Sequence, residues 1–370
     1  MPLRTLTLRE LNRTHLQRQH LLQRADLDVG DMLRALAGLQ AQVIRDPYLA
    51  LWSRIEGFSH DQLGEMLLDR SAVRASLMRG TIHLVTAADY QMLFPATYSL
   101  HLRALPGLAY GQQVPQELYE PILAQTRAFL TANPSTLKAL ADHLGEIYPD
   151  IDRRAIGQVG RFLLPLVQTT PRGVWGRSHT ATWALASEWL SVPIAEMVGP
   201  TDEMIRRYLA AFGPASLADM SAWSGVTNLK STVVAMGDEL ARYQDEVGVV
   251  LYDLAGLEIA DANMPAPVRF LPGFDNALLG HKDRRRIISE EHRRIIGTPN
   301  GMFASTFLVD GFVAGIWGIK DGQILLAAFD PLTSGQATEV EHEASNLAPF
   351  WTGEHLPVTW TEVWKQPGKW

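Results

Sequence analysis

GPASLADMSAWSGVTNLKSTVVAMGDELARYQDEVGVVLYDLAGLEIA, residues 213–260, is the stretch that decides the fold. Gly213-Pro-Ala-Ser216-Leu-Ala-Asp219 reads as a capped helix start, because short polar side chains satisfy the free amides of a first turn. Ser224-Gly225 offers a turn, and Leu229, Val233, Met236 and Leu240 stripe one face of the next helix. Residues 247–254 and 257–260 then flank Ala255-Gly256 as a short hairpin. Helix, turn, helix and two-stranded wing make a winged-helix module.

Working outward, the same order recurs twice. Ser59-His-Asp-Gln62 has the form of a capping box, with Leu63, Met66 and Leu67 following at helical spacing. After Arg70 comes a second segment, then Gly80-Thr-Ile-His-Leu-Val85, whose aliphatic and β-branched content suits a strand. The other copy opens at Asn133-Pro-Ser135-Thr, with Leu137, Leu140, Ala141 and Leu144 on one helical face and Gly145 as a stop. A second helix over 151–162 leads to Leu166-Val-Gln-Thr-Thr170. Pro171-Arg-Gly173 reads as the turn of a hairpin that returns over 174–177. Three such copies predict tandem winged helices.

From about residue 265 the texture becomes strand-like. Residues 268–271, 302–309, 312–319, 323–328 and 357–363 alternate or run apolar, with one helix over 335–350. Asp310-Gly311 and Asp321-Gly322 are strong hairpin turns. The predicted fold is therefore mainly α with β (α+β): three winged-helix domains and a small C-terminal antiparallel β-barrel. The boundaries fall at 1–105, 106–192, 193–263 and 264–370.

Composition narrows the class of function. With 46% hydrophobic and 20% charged residues the chain reads as an ordinary globular protein, and it holds no cysteine for disulfides, thiolate catalysis or thiolate zinc sites. No apolar run reaches the roughly 18–20 residues of a membrane span, and no leader stretch opens the sequence, so a cytoplasmic protein is expected. Net charge is −7, with 19 basic against 18 acidic residues over 1–200 and 14 against 22 over 201–370. A nearly neutral first half can still present a basic face, since binding follows local potential. The eleven histidines show no HExxH spacing, and no GxGxxG or P-loop is present.

Gly38-Leu-Gln40-Ala-Gln42-Val-Ile-Arg45-Asp-Pro47-Tyr48 resembles the glutamine–aliphatic–glutamine motif of the winged-helix alkylpurine DNA glycosylases. The type member of that family protects an azinomycin-producing bacterium. Arg79-Gly-Thr-Ile-His83-Leu-Val, residues 271–284 (Leu-Pro-Gly-Phe-Asp-Asn-Ala-Leu-Leu-Gly-His-Lys-Asp-Arg) and residues 301–317 look like further parts of the family, in the same order. The resemblance implies a C-shaped chain of three winged helices and a barrel, and a monofunctional glycosylase with Gln40 and Gln42 as catalytic residues. A sister group carries aspartate at the second glutamine and takes wider substrates, crosslinks among them; Gln42 sets this chain in the glutamine–glutamine group. Double-stranded DNA bearing alkylated purines is the implied partner of a monomer, with no metal or organic cofactor and no membrane.

Residue chemistry agrees with that implication. Met32, Ala35, Leu36 and Leu39 share a helical face, and Asp46-Pro47 looks like the N-cap and first residue of the next helix. Gln40 and Gln42 therefore sit in a connection, and they share a side only where the backbone is extended. Glutamine does not titrate, but its amide can orient a water. A purine alkylated at N7 or N3 already carries positive charge and leaves without a general acid. Water placement and dipoles facing an oxocarbenium-like sugar then suffice.

Candidate DNA contacts are Arg45 and Arg54 beside the motif, Arg79, His83, and the run Lys282, Arg284, Arg285 and Arg286, because phosphates attract Lys and Arg. Each has a plainer reading. His83 between Ile82 and Leu84 fits a satisfied strand histidine, the basic run fits a solvated loop, Trp175 fits packing, and the glutamines fit a helix end. Two rival functions stay open here: a tandem winged-helix transcription regulator, and a protein that shields damage without cleaving it. Release of base from methylated DNA separates all three.

Overall fold

In the computed structural model, which describes residues 2–195, 199–297 and 301–362, both Asp-Gly dipeptides form the turns their chemistry favours. Asp310 and Gly311 have φ of 47° and 80°, Asp321 and Gly322 of 50° and 71°. Two successive left-handed residues match the twist of a two-residue hairpin, and glycine bears the second without a Cβ clash. The strands Thr306–Val309, Phe312–Lys320 and Gln323–Ala328 are joined by these turns, with Val309 opposite Phe312 and Lys320 opposite Gln323.

Arg269–Leu271 and Val358–Trp360 complete a five-stranded sheet as its two edges. The last pairing, Ile324 with Val358, is parallel, and the sheet is open. This corrects the expected antiparallel barrel. The physical reason lies in the alternation along each strand. Leu271, Leu308, Ile316 and Ala327 enter one apolar cluster with Leu16, Leu278 and Ile288. Phe270, Phe307, Trp317 and Leu326 enter another with Val340, Ala344 and Leu347 of the helix Ser334–Thr352. A sheet covered on both faces gives the same two-sided apolar strands as a barrel wall. Val363, the last residue of the expected strand 357–363, lies outside the described residues.

The chain divides into two units. The first comprises Met1–Ser59, Arg206–Trp223 and Met236–Trp370. Besides the five-stranded sheet it holds a smaller one, in which Arg4–Leu6 runs parallel to Leu240–Asp245 and the latter pairs antiparallel with Val250–Leu254. The hairpin expected at Ala255-Gly256 is formed instead by 240–245 with 250–254, closing over Glu246–Val249. Ser216 and Asp219 do cap each other: the Asp219 carboxylate accepts from the Ser216 amide and hydroxyl at 2.9 and 2.7 Å, and Ser216 Oγ accepts from the Asp219 amide at 3.2 Å. The helix Leu8–Arg18 buries Leu11 and Leu16, and its Asn12 Nδ2 donates to the Arg286 and Gly311 carbonyls at 2.7 and 2.8 Å.

The second unit comprises His60–Ile205 and Ser224–Ala235. Its strands lie in the order Ile82–Thr86, Ala72–Ser76, Leu166–Gln168, Thr182–Leu185, Ser135–Thr136, and each neighbouring pair is antiparallel. The segment after Arg70 is therefore a strand, not a second helix, and the second wing returns at Thr182–Leu185 instead of 174–177. The hairpins of the first two copies merge into one sheet where Arg74 meets Gln168. The helices Leu137–Ile147 and Arg153–Leu163 take the faces their periodicity requires, burying Leu140, Ala141 and Leu144, and Ile156, Val159 and Leu163. Among the described residues no helix is long and apolar enough to cross a membrane.

Candidate active site

The glutamine segment is built by a helix that stops early. Asp28 caps the helix Val29–Ala35 through its side chain. Ala37 and Gly38 then adopt φ of 53° and 85°, and the Gly38 amide turns back to the Leu33 carbonyl at 2.8 Å. Such a left-handed terminus ends a helix, and glycine accommodates it at little strain. Leu36 is thus a C-cap, and Leu39, expected on the helical stripe, already belongs to the extended pair Leu39–Gln40.

Leu39 and Ala41 are 1% and 0% exposed, Gln40 is 6% exposed, and Gln42 is open to solvent. Leu39 and Gln40 form an extended pair, and the chain leaves the interior only at Gln42. The chain then turns, the Asp46 amide donating to the Val43 carbonyl at 3.3 Å, and enters the helix Asp46–Trp52 with Pro47 in its first turn. Asp46 is the first helical residue rather than the cap, a role that falls to the Arg45 backbone.

A second segment braces the first. In the turn Phe274-Asp275-Asn276, the buried Asn276 amide donates to the carbonyls of Leu36 and Gly38, at 3.1 and 2.7 Å. The Phe274 backbone amide favours the charged form of the Asp46 carboxyl. Burial, with the neighbouring Asp275 carboxylate, pushes the Asp46 acid up to about 7, against the pull of that amide. Between them, Asp275 caps its own helix at the Ala277 amide, 2.8 Å away, and pairs with Arg54. Sequence reasoning gave Asp46 only the role of a helix cap, and Asp275 and Asn276 no part beyond their place in the family-like stretch 271–284. A signal was present: Asp-Asn before Ala-Leu-Leu has the form of a helix start.

The basic candidates divide. Arg45 is exposed, its guanidinium 5.7 Å from the Trp351 ring centre, and Lys282 is exposed with its backbone amide on Asp219. Arg284 is half-buried over the Phe303 ring at 5.5 Å. Arg285 is exposed but held by Asp283 at 2.6 Å, in a mixed-charge cavity of about 380 Å³ that Asp245 and Glu290 also line. Three expected phosphate contacts are corrected. Arg54 is fully buried and spends its five N–H bonds on Gln19, Ala50 and Asp275. Arg286 is 4% exposed and donates to the Pro214 carbonyl. His83 is 2% exposed, donates from Nδ1 to the Thr81 carbonyl, and burial pushes it down to about 3, so it is neutral. In each case an interior hydrogen-bond set replaces water, which sequence alone does not distinguish from an exposed charge. Arg79, with φ of 56°, and His83 belong to the second unit, where Arg79 donates to His83 Nε2 at 3.4 Å.

The profile of the AlkZ-like DNA glycosylases matches residues 33–350, a span that takes in both the glutamine segment and the turn that braces it. The chain belongs to the AlkZ-like DNA glycosylases. An interstrand DNA cross-link repair glycosylase of Streptomyces sahachiroi is 27% identical over 365 residues, 93% of this chain and 96% of that protein. The solved DNA glycosylase AlkZ of the same organism has a TM-score of 0.83 at 23% identity, covering 96% of this chain and 100% of that one, a likeness of fold. An AlkZ-like chain is a DNA-repair glycosylase, and the transcription-regulator reading gives way to it.

Proposed function

We propose that this AlkZ-like chain binds duplex DNA and hydrolyses the N-glycosidic bond of cationic N7- or N3-alkylated purines, with Gln40 and Gln42 placing the attacking water. The observation that supports the reading is that the segment runs from buried Leu39, Gln40 and Ala41 to an exposed Gln42 and is anchored at Leu36 and Gly38 by the Asn276 amide. Each amide carbonyl accepts from water and faces the oxocarbenium-like sugar, while each NH₂ donates to keep the water oriented. The charged base leaves unprotonated, the water adds to C1′ and loses a proton to solvent, and an abasic site remains. Water is the only nucleophile required, so the enzyme acts as a monofunctional hydrolase, a cytoplasmic monomer that needs no metal or organic cofactor. A crosslink joined through a purine ring nitrogen presents the same charged leaving group, which extends the substrate class toward that named for the Streptomyces sahachiroi relative.

Single-turnover release of base from DNA carrying 7-methylguanine or 3-methyladenine tests this. Gln42→Ala is expected to slow release by about 10²–10³-fold, the loss of about 2–4 kcal/mol that one oriented polar group provides, with DNA affinity retained. Uracil, which lacks the leaving-group charge, is expected to stay in place. Full-speed excision by a Gln40→Ala, Gln42→Ala double variant overturns the assignment of the water to this pair.

A further inference from the structure

We propose that Asn276 is a positioning residue for base release, acting through the Leu36 and Gly38 carbonyls on the backbone that presents Gln40 and Gln42. The inference rests on the glutamine–water reading above. Its geometric basis is the spacing of the two acceptors. A single planar NH₂ bridges carbonyls two residues apart, on either side of Ala37, at 3.1 and 2.7 Å. Those carbonyls stand at a helix end, where the helix itself supplies no partner. Ala37 is a non-glycine residue in the left-handed region, a strained conformation that persists only where its surroundings enforce it. The Asn276 bridge supplies that enforcement.

The bridge clamps the start of the glutamine segment: Gly38 precedes Gln40 by two residues and is held by Asn276 Nδ2. Asp275, next to Asn276, is locked to the saturated Arg54. The turn therefore cannot shift without breaking a buried ion pair, and the start of the glutamine segment is referenced to one rigid point. Catalytic groups held within fractions of an ångström of their working geometry need such a support.

The full chain carrying Asn276→Ala, Asn276→Asp and Gln42→Ala, singly and combined, tests the proposal with DNA containing 7-methylguanine. Asn276→Ala is expected to lower the single-turnover rate about 10–100-fold and to leave the DNA dissociation constant within about 3-fold. Combined with Gln42→Ala it should add almost nothing, because it acts through the same water. Asn276→Asp keeps the shape but turns donors into acceptors. It should be as slow as Asn276→Ala at pH 8 and begin to recover, relative to the parent at the same pH, near pH 6, where the acid, held among carbonyls, regains an O–H to donate. An unchanged rate in Asn276→Ala, losses that multiply in the combined variant, or an Asn276→Asp deficit that ignores pH each overturn the clamp. If Gln42→Ala and Gln40→Ala are themselves at full rate, the glutamine reading falls instead. Should Asn276→Ala not fold, the Asn276→Asp pH comparison decides alone.

Discussion

Arg54 and Asp275 face each other with both side chains fully buried, joined by two hydrogen bonds of 2.7 and 2.9 Å. Burial removes the hydration of two charges, and the pair persists because each remaining donor and acceptor is also used. Arg54→Met leaves Asp275 as an unpaired buried carboxylate and is expected to cost about 3–5 kcal/mol. Thermal or urea unfolding measures this. If the variant is instead as stable as the parent, Arg54 is not the strut described, and its DNA contact deserves a second test.

Acid should unfold the protein early. Burial holds His15 and His281 well below the ordinary histidine range, His101 at about 4 and His83 at about 3. All four are neutral in the folded chain and take up protons more readily when unfolded. Stability is therefore complete above about pH 6.5 and falls as pH drops through it, by up to about 1.4 kcal/mol per pH unit for each group. Near pH 5.5 the four together remove on the order of 5 kcal/mol, a large part of a typical domain's stability. Urea midpoints that stay constant from pH 7 to pH 5 contradict this.

Asp46 has the opposite sign. Its folded pKa, about 7, is above that of an unfolded aspartate, so its contribution is intact below about pH 3.8 and is lost as pH rises to about 7. Asp46→Asn keeps the shape of this half-buried side chain without its charge. The gain in stability over the parent should grow between pH 4 and pH 7 and level off above, reaching on the order of 2 kcal/mol. Glutamines do not titrate, so any step in the parent's base-release rate near pH 7 should vanish in this variant. A step that survives belongs to another group.

Exposed cations should differ in their effect on DNA. Lys282→Ala and Arg45→Ala are each expected to weaken binding and to flatten the salt dependence by about 0.9 in log–log slope, as one released counterion requires. Arg285→Ala should change the slope less, because Asp283 already offsets its charge at 2.6 Å. Equal slopes for Arg285→Ala and Lys282→Ala overturn that ranking.

Local chemistry was legible in the sequence wherever neighbours along the chain decide it. The Asp-Gly turns, the Ser216–Asp219 cap, the strand Gln323–Ala328 and the helix faces at Leu140 and Leu144 are of this kind. That Gln40 and Gln42 lie in a connection between two helices was legible too, from the apolar stripe before them and Asp46-Pro47 after them. What stayed hidden depends on distant partners. Arg54 and Arg45 look alike in sequence, and only Asp275, 221 residues away, makes one of them interior. The merging of two wings through Arg74 and Gln168, 94 residues apart, has no local sign either. The hairpins at 174–177 and 255–256 were misread because several turn-like dipeptides compete in each stretch, and the long-range register chooses among them.

The interrupted make-up of the first unit sets the order in which a growing chain becomes an enzyme. Gln40 and Gln42 are synthesised among the first residues, yet the amide that bridges Leu36 and Gly38 is 240 and 238 residues further on. The other unit has its strands by Leu185 and can close while the chain is still on the ribosome. Until Asn276 emerges, the Leu36 and Gly38 carbonyls lack the amide that bridges them. If Asn276 supports the glutamines as proposed, a product ending before it is expected to lack that support, so base release should depend on chains whose translation is nearly finished.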